Sequence, residues 1–110
     1  MNYKFRGKRI GNNEWIEGDL IQYNGLRRRI WPIDGRIGYD VHPATVGLIS
    51  SKPDSTGKLI AQGDIVEVDH SIKYSIDFDG RKFYGVNSND YLNVIDEASE
   101  RLTITGTIHD

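Results

Sequence analysis

Apolar and polar residues alternate along most of this chain, and clusters of Gly, Asn, Asp and Ser interrupt the alternation. A period of two predicts half-buried strands, because successive side chains point to opposite faces. The fullest example is Ile72, Tyr74, Ile76 and Phe78, turned by Asp79-Gly80 and returned through Phe83-Tyr84-Gly85-Val86. Strands are also predicted at Tyr3-Lys4-Phe5-Arg6, at Ile65-Val66-Glu67-Val68 and over Leu102 to Ile108. Asn24-Gly25 is a hairpin signal. The return strand after it puts Leu26, Arg28 and Ile30 on one face and Arg27, Arg29 and Trp31 on the other. Pro32 places the end of that strand at an edge or terminus. Pro43 opens a helical turn through Ala44 and Thr45, and Leu48-Ile49 follows as a buried strand. Ser50 to Thr56, rich in Pro, Asp, Lys and hydroxyl residues, reads as a linker or exposed hairpin loop. Near the C-terminus the period changes. Leu92, Ile95 and Ala98 recur every three residues behind the N-cap residues Asn87-Ser88-Asn89-Asp90, which predicts one short helical element between Asn89 and Glu100.

One phrase occurs twice. Trp15-Ile16-Glu17-Gly18-Asp19-Leu20-Ile21 returns as Ile60-Ala61-Gln62-Gly63-Asp64-Ile65-Val66, each copy behind a turn cluster. Each copy reads as a hairpin arm, a tight Gly-Asp turn and a β-branched strand. Gly18 and Gly63 then supply positive φ, and Asp19 and Asp64 cap their turns through the side chain. The expected architecture is all-β, with antiparallel hairpins forming small SH3-like or partly open barrels and one short helical element. It forms a single domain over residues 1–110, with room for two closely packed lobes of about 1–49 and 57–110.

Composition narrows the chemistry. Fourteen basic and sixteen acidic residues leave a net charge of -2, with no global pull toward nucleic acid or an anionic membrane. The absence of cysteine removes disulfides, thiol nucleophiles and Cys-based zinc sites. No signal-peptide pattern or membrane-length apolar run is present, so a cytoplasmic protein is expected.

Four ordered segments resemble the YopX family. They are Tyr3-Lys4-Phe5-Arg6-Gly7-Lys8; His42-Pro43-Ala44-Thr45-Val46-Gly47; Gly57-Lys58-Leu59-Ile60-Ala61-Gln62-Gly63-Asp64-Ile65-Val66; and Leu102-Thr103-Ile104-Thr105-Gly106-Thr107-Ile108. The middle pair is similar to that family's Pro-Glu-Thr-Val-Gly and Gly-Lys-x-Ile/Leu-x-x-Gly-Asp-Ile-Val signature. Ala44 stands where the family has Glu, and Leu48-Ile49-Ser50-Ser51 replaces its Gln-Tyr/Phe-Thr-Gly stretch. The resemblance implies a phage or prophage protein in the host bacterial cytoplasm, β-rich and without an assigned activity. It brings no catalytic residues and no cofactor.

The candidate chemistry is sparse. Arg27, Arg28, Arg29 and Trp31 form a basic run beside an aromatic, suited to phosphate contact and base stacking. A charged, solvated edge strand explains the same residues. Asp40 and His42 share a face if the strand there is extended, which makes them the candidate for an enzyme site. His70 and His109 are isolated, and the spacings match no common metal site. Asp77 and Asp79 are read as turn chemistry. No nucleophile elbow, Walker loop or dinucleotide fingerprint is present. The expectation is a non-enzymatic accessory protein acting through contacts with an unknown protein partner. A nucleic-acid-binding module and an enzyme near Asp40 and His42 are the alternatives. Trp15, Trp31, Tyr39 and Tyr91, placed near turns or strand ends, suggest a self-association patch and a homo-oligomer.

Overall fold

The structure, a computed structural model, describes residues 4–22, 27–32, 35 and 37–110. The expectations for Tyr3, for the Asn24-Gly25 turn and for Leu26 lie outside them. The chain divides into two compact units, Met1–Ile49 and Ser50–Asp110. Both are built from antiparallel strands, and among the described residues the only helical pieces are short 3₁₀ turns.

In the first unit the strands are β1 (Lys4–Lys8), β2 (Trp15–Gln22), β3 (Arg28–Trp31) and β4 (Tyr39–Val41), followed by the start of β5 (Gly47–Pro53). They lie in the order β4-β3-β2-β1-β5. β4 also meets the chain just past β1. Arg9 bridges Val41, the Ile10 N–H donates to the Asp40 carbonyl at 3.0 Å, and the His42 N–H donates to the Lys8 carbonyl at 2.9 Å. The four strands thus close into a ring, which removes one pair of exposed edges. Ile30 and Val41 are fully buried, and a 3₁₀ turn, Pro43–Thr45, is tied to β1 by the Lys8 N–H donating to Thr45 Oγ1 at 2.9 Å.

The second unit begins with the rest of β5 and its return strand β6 (Leu59–Ala61). It continues through β7 (Asp64–Val68), β8 (Ile72–Phe78), β9 (Phe83–Val86), β10 (Tyr91–Asn93) and β11 (Leu102–Thr107). The last five form a sheet in the order β10-β9-β8-β7-β11. Alternation decides which face is buried. Val66, Val68, Tyr74, Ile76, Leu92 and Leu102 join Ile60 and Val94 in one apolar core, with Phe83 and Ile104 packed against it. The β7–β8 connection was not foreseen. The connection is three residues, Asp69 to Ser71; Asp69 and His70 both hold positive φ (53° and 58°), and the Ser71 N–H closes the turn by donating to the Val68 carbonyl at 3.0 Å. Arg101 braces it, with its guanidinium 2.6 Å from the Asp69 carboxylate.

One expectation is corrected and two are narrowed. The repeated phrase is not a repeated structure: Gly18 and Asp19 lie inside the continuous strand β2, not in a turn, and only Gly63 has positive φ, at 93°. Of the two readings of Ser50 to Thr56, the linker fails because Ser50–Pro53 is strand, while the hairpin loop holds in shorter form: Asp54, Ser55 and Thr56 belong to the turn between β5 and β6, with Asp54 buried. The short helical element expected between Asn89 and Glu100 takes the form of helical turns, not a helix: the region is β10 followed by two 3₁₀ turns, Val94–Asp96 and Ser99–Arg101. Leu92 and Val94 point inward with strand-like spacing, while Ile95 is 73% exposed, so the three-residue period did not mark a buried face. Asn87 Oδ1 accepts the Asn89 N–H at 2.9 Å, so the supposed N-cap closes the β9–β10 hairpin.

Gly63 sits between β6 and β7. Its N–H donates to the Ile76 carbonyl at 2.8 Å, and its own carbonyl accepts from the Ile108 N–H at 2.9 Å. The fully buried Asp64 accepts the Ala61 N–H at 2.8 Å, which completes the turn. A branched side chain disfavours positive φ, so Gly63→Val is expected to cost about 1–3 kcal/mol. Thermal melting checks this, and an unchanged midpoint would show that the glycine is dispensable.

Candidate functional site

The arginine run lies on an inner strand rather than an edge, since β3 pairs with both β2 and β4. That corrects the edge-strand explanation of its charges. Register places Arg29 directly opposite Asp40. Asp40 Oδ1 accepts from Arg29 Nε at 3.1 Å, and Oδ2 accepts from Arg27 Nη2 at 3.2 Å. The Arg29 hydrogen bond is the chief reason the Asp40 carboxyl lies below its ordinary pKa. Partial desolvation opposes it, and Arg27 adds to it. Arg28 Nη1 donates to the Arg27 carbonyl at 3.1 Å. A cleft of about 210 Å³ opens beside these residues, lined by Ile10, Arg27, Arg28, Asp40, Val41 and Pro43. Trp31 does not line it. Trp31 packs with Arg29 so near Gly38 that a Cβ there would be 2.5 Å from the indole.

Asp40 and His42 are not brought together as a pair. β4 ends at Val41, and His42 Nε2 lies 3.0 Å from Asn13 Oδ1, while the Asp40 oxygens face the two arginines. His70 lies in the β7–β8 turn, and the His109 N–H bonds Thr107 Oγ1 at 3.0 Å. Among the described residues no three His, Asp or Glu side chains converge as metal ligands. Asp77 Oδ1 accepts from the Phe78 N–H at 2.8 Å and from Gln62 Nε2 at 3.0 Å, whereas Asp79 serves its own turn. Asp79 Oδ1 accepts the N–H groups of Arg81 and Lys82 at 2.8 and 2.9 Å, and these bonds hold its carboxyl below the ordinary value.

The proposed self-association aromatics are divided between the two units, Trp15, Trp31 and Tyr39 in the first and Tyr91 in the second. In the first unit, Arg6 and Lys8 cover the Trp15 ring at 4.7 and 5.4 Å, and Arg9 lies 4.0 Å from the Tyr39 ring centre. In the second unit, Tyr91 is half-exposed on the outer face of the sheet. It pairs directly across from exposed Val86 and stacks on Tyr84 with ring centres 5.5 Å apart. Tyr84 was missed as a surface residue because Phe83-Tyr84-Gly85-Val86 is apolar throughout. The outward side became visible only when register paired Phe83 with Phe78 and Tyr84 with Asp77.

Division by unit also changes the charge picture. Residues 1–49 hold eight basic and five acidic side chains, and residues 50–110 hold six and eleven, a net of +3 against -5. The near-neutral total conceals this asymmetry. No helix among the described residues is long and apolar enough to cross a membrane. The β-dominated class is established by the coordinates alone, since no protein-family model, curated protein or solved structure gives a significant match.

Proposed function

We propose that this chain is a non-enzymatic accessory protein of the phage or prophage type that works by contacting another protein. The single observation carrying this reading is the cluster of exposed Val86 and Tyr91 with half-buried Tyr84 on the outer face of β9 and β10. Solvated sheet faces are normally polar, and tyrosines grouped at the surface with an aliphatic residue are typical of contact surfaces. The resemblance to the YopX family supports the viral setting and the host bacterial cytoplasm, and the ring of β1 to β4 fits the small SH3-like or partly open barrel expected from the hairpin pattern. A homo-oligomer is the simplest form of such contact.

A photoreactive residue in place of Tyr91, irradiated in the native host, tests the proposal. The expected product is a discrete protein cross-link that is absent when the probe replaces Lys58. Equal labelling from both positions would overturn the reading. Light scattering over a wide concentration range separates a second copy from a different partner. The +3 charge of residues 1–49 favours a second reading, nucleic-acid binding through Arg27, Arg28 and Arg29. Its mark is a salt-sensitive shift that disappears when all three become alanine.

A further inference from the structure

The Tyr91 ring already holds a cation. The Lys82 ammonium lies 5.4 Å from its centre, in the geometry of a cation–π contact. On the other side of the stack, the Tyr84 hydroxyl donates to Asp77 Oδ2 at 3.5 Å, so a carboxylate borders the two rings. The unit that carries them has eleven acidic residues against six basic ones. An aromatic face within such a field attracts positive charge and repels phosphate. Lysine is a modest occupant, because its ammonium is strongly hydrated. The flat, weakly hydrated guanidinium of arginine stacks better on an aromatic ring.

We infer that this face recognises a basic, arginine-bearing segment of a protein partner, with the Tyr91 ring as the seat of one arginine. Lys82 is the internal cation that occupies the seat until the partner displaces it. The inference rests on the protein-contact reading above and supplies the chemistry of that contact.

The test uses the full chain and a hexa-arginine peptide, followed by NMR. Shifts are expected at Phe83–Val86 and Tyr91–Asn93. Affinity should fall about fivefold in Tyr91→Ala, the size of one exposed cation–π contact. It should rise severalfold in Lys82→Met, which removes the internal competitor. Lys58→Met makes the same charge change away from the rings and should have a clearly smaller effect. Equal effects of the two lysine variants would reduce the binding to net charge and overturn the inference, as would full affinity in Tyr91→Ala. Binding of an oligothymidylate at the same resonances in place of the peptide would also overturn it. A protein cross-link from position 91 without peptide binding would leave the contact reading intact and remove only the cationic partner.

Discussion

Asp54→Ala is expected to lower stability by about 3–4 kcal/mol, because several backbone donors lose one buried acceptor together. Asp54 Oδ1 accepts the Thr56 N–H at 2.9 Å, the Thr56 hydroxyl at 2.7 Å and the Lys58 N–H at 3.0 Å. Oδ2 accepts the Ile104 N–H of β11 at 3.0 Å, across fifty residues of sequence. The side chain thus joins the β5–β6 turn to the last strand, beside the Ser55 N–H donating to the Leu102 carbonyl at 2.7 Å. Alanine leaves three N–H groups without their acceptor and adds no new contact. Urea titration at neutral pH measures the loss, and a change below about 1 kcal/mol would show that water replaces the carboxylate freely.

The same residue predicts a pH effect. Burial pushes the Asp54 carboxyl up, but the Ile104 N–H, the Thr56 hydroxyl and the Thr56 and Lys58 N–H groups together outweigh it and hold the pKa below its ordinary value. A folded-state pKa lower than the unfolded one stabilises the protein fully above the unfolded value of about 3.9. That contribution is lost as pH falls through the lower folded value. The stability gap between the native chain and Asp54→Asn should therefore be constant near neutrality and shrink on acidification below about pH 4. A gap that stays constant into strong acid would contradict the lowered pKa.

Gly18→Ala is the second large effect, expected at about 3 kcal/mol or more, with Gly18→Val worse. The reason is not the dihedral freedom that matters at Gly63. A Cβ on Gly18 would come within 2.1 Å of the Trp31 carbonyl oxygen and 2.9 Å of the Pro32 Cα. Both atoms belong to backbone, so no rotamer change relieves the clash and the β2–β3 pairing must shift. At Gly63 the penalty argued is that of positive φ, of order 1 kcal/mol, so Gly63→Ala is expected to be the milder change. Hydrogen exchange provides the second readout. Gly18→Ala should lose protection in β2 and β3 and leave β7 and β8 unchanged. Equal melting points for the two alanine variants would mean that the two copies of the phrase do the same work after all.

What the amino-acid order determined by itself is local. The alternation of Ile72, Tyr74, Ile76 and Phe78 and the turn at Asp79-Gly80 became β8 and the β8–β9 hairpin, because a period of two and a turn dipeptide act over a few residues. Pro43 likewise opened its 3₁₀ turn where ring-fixed φ places one. Pairing partners were not readable, because they are set by register between distant strands. Gly18-Asp19 and Gly63-Asp64 are the same dipeptide, yet one lies against the Trp31 backbone inside a strand and the other turns between two strands. Asp54 is a turn residue whose long-range role showed only when β11 brought Ile104 to it, and Asp40 looked like a partner for His42 until β3 set Arg29 opposite. The candidate contact surface has the same origin. Tyr84 and Tyr91 stand next to each other only because β9 and β10 pair, and which of their neighbours face water was decided by the apolar core on the opposite side of the sheet.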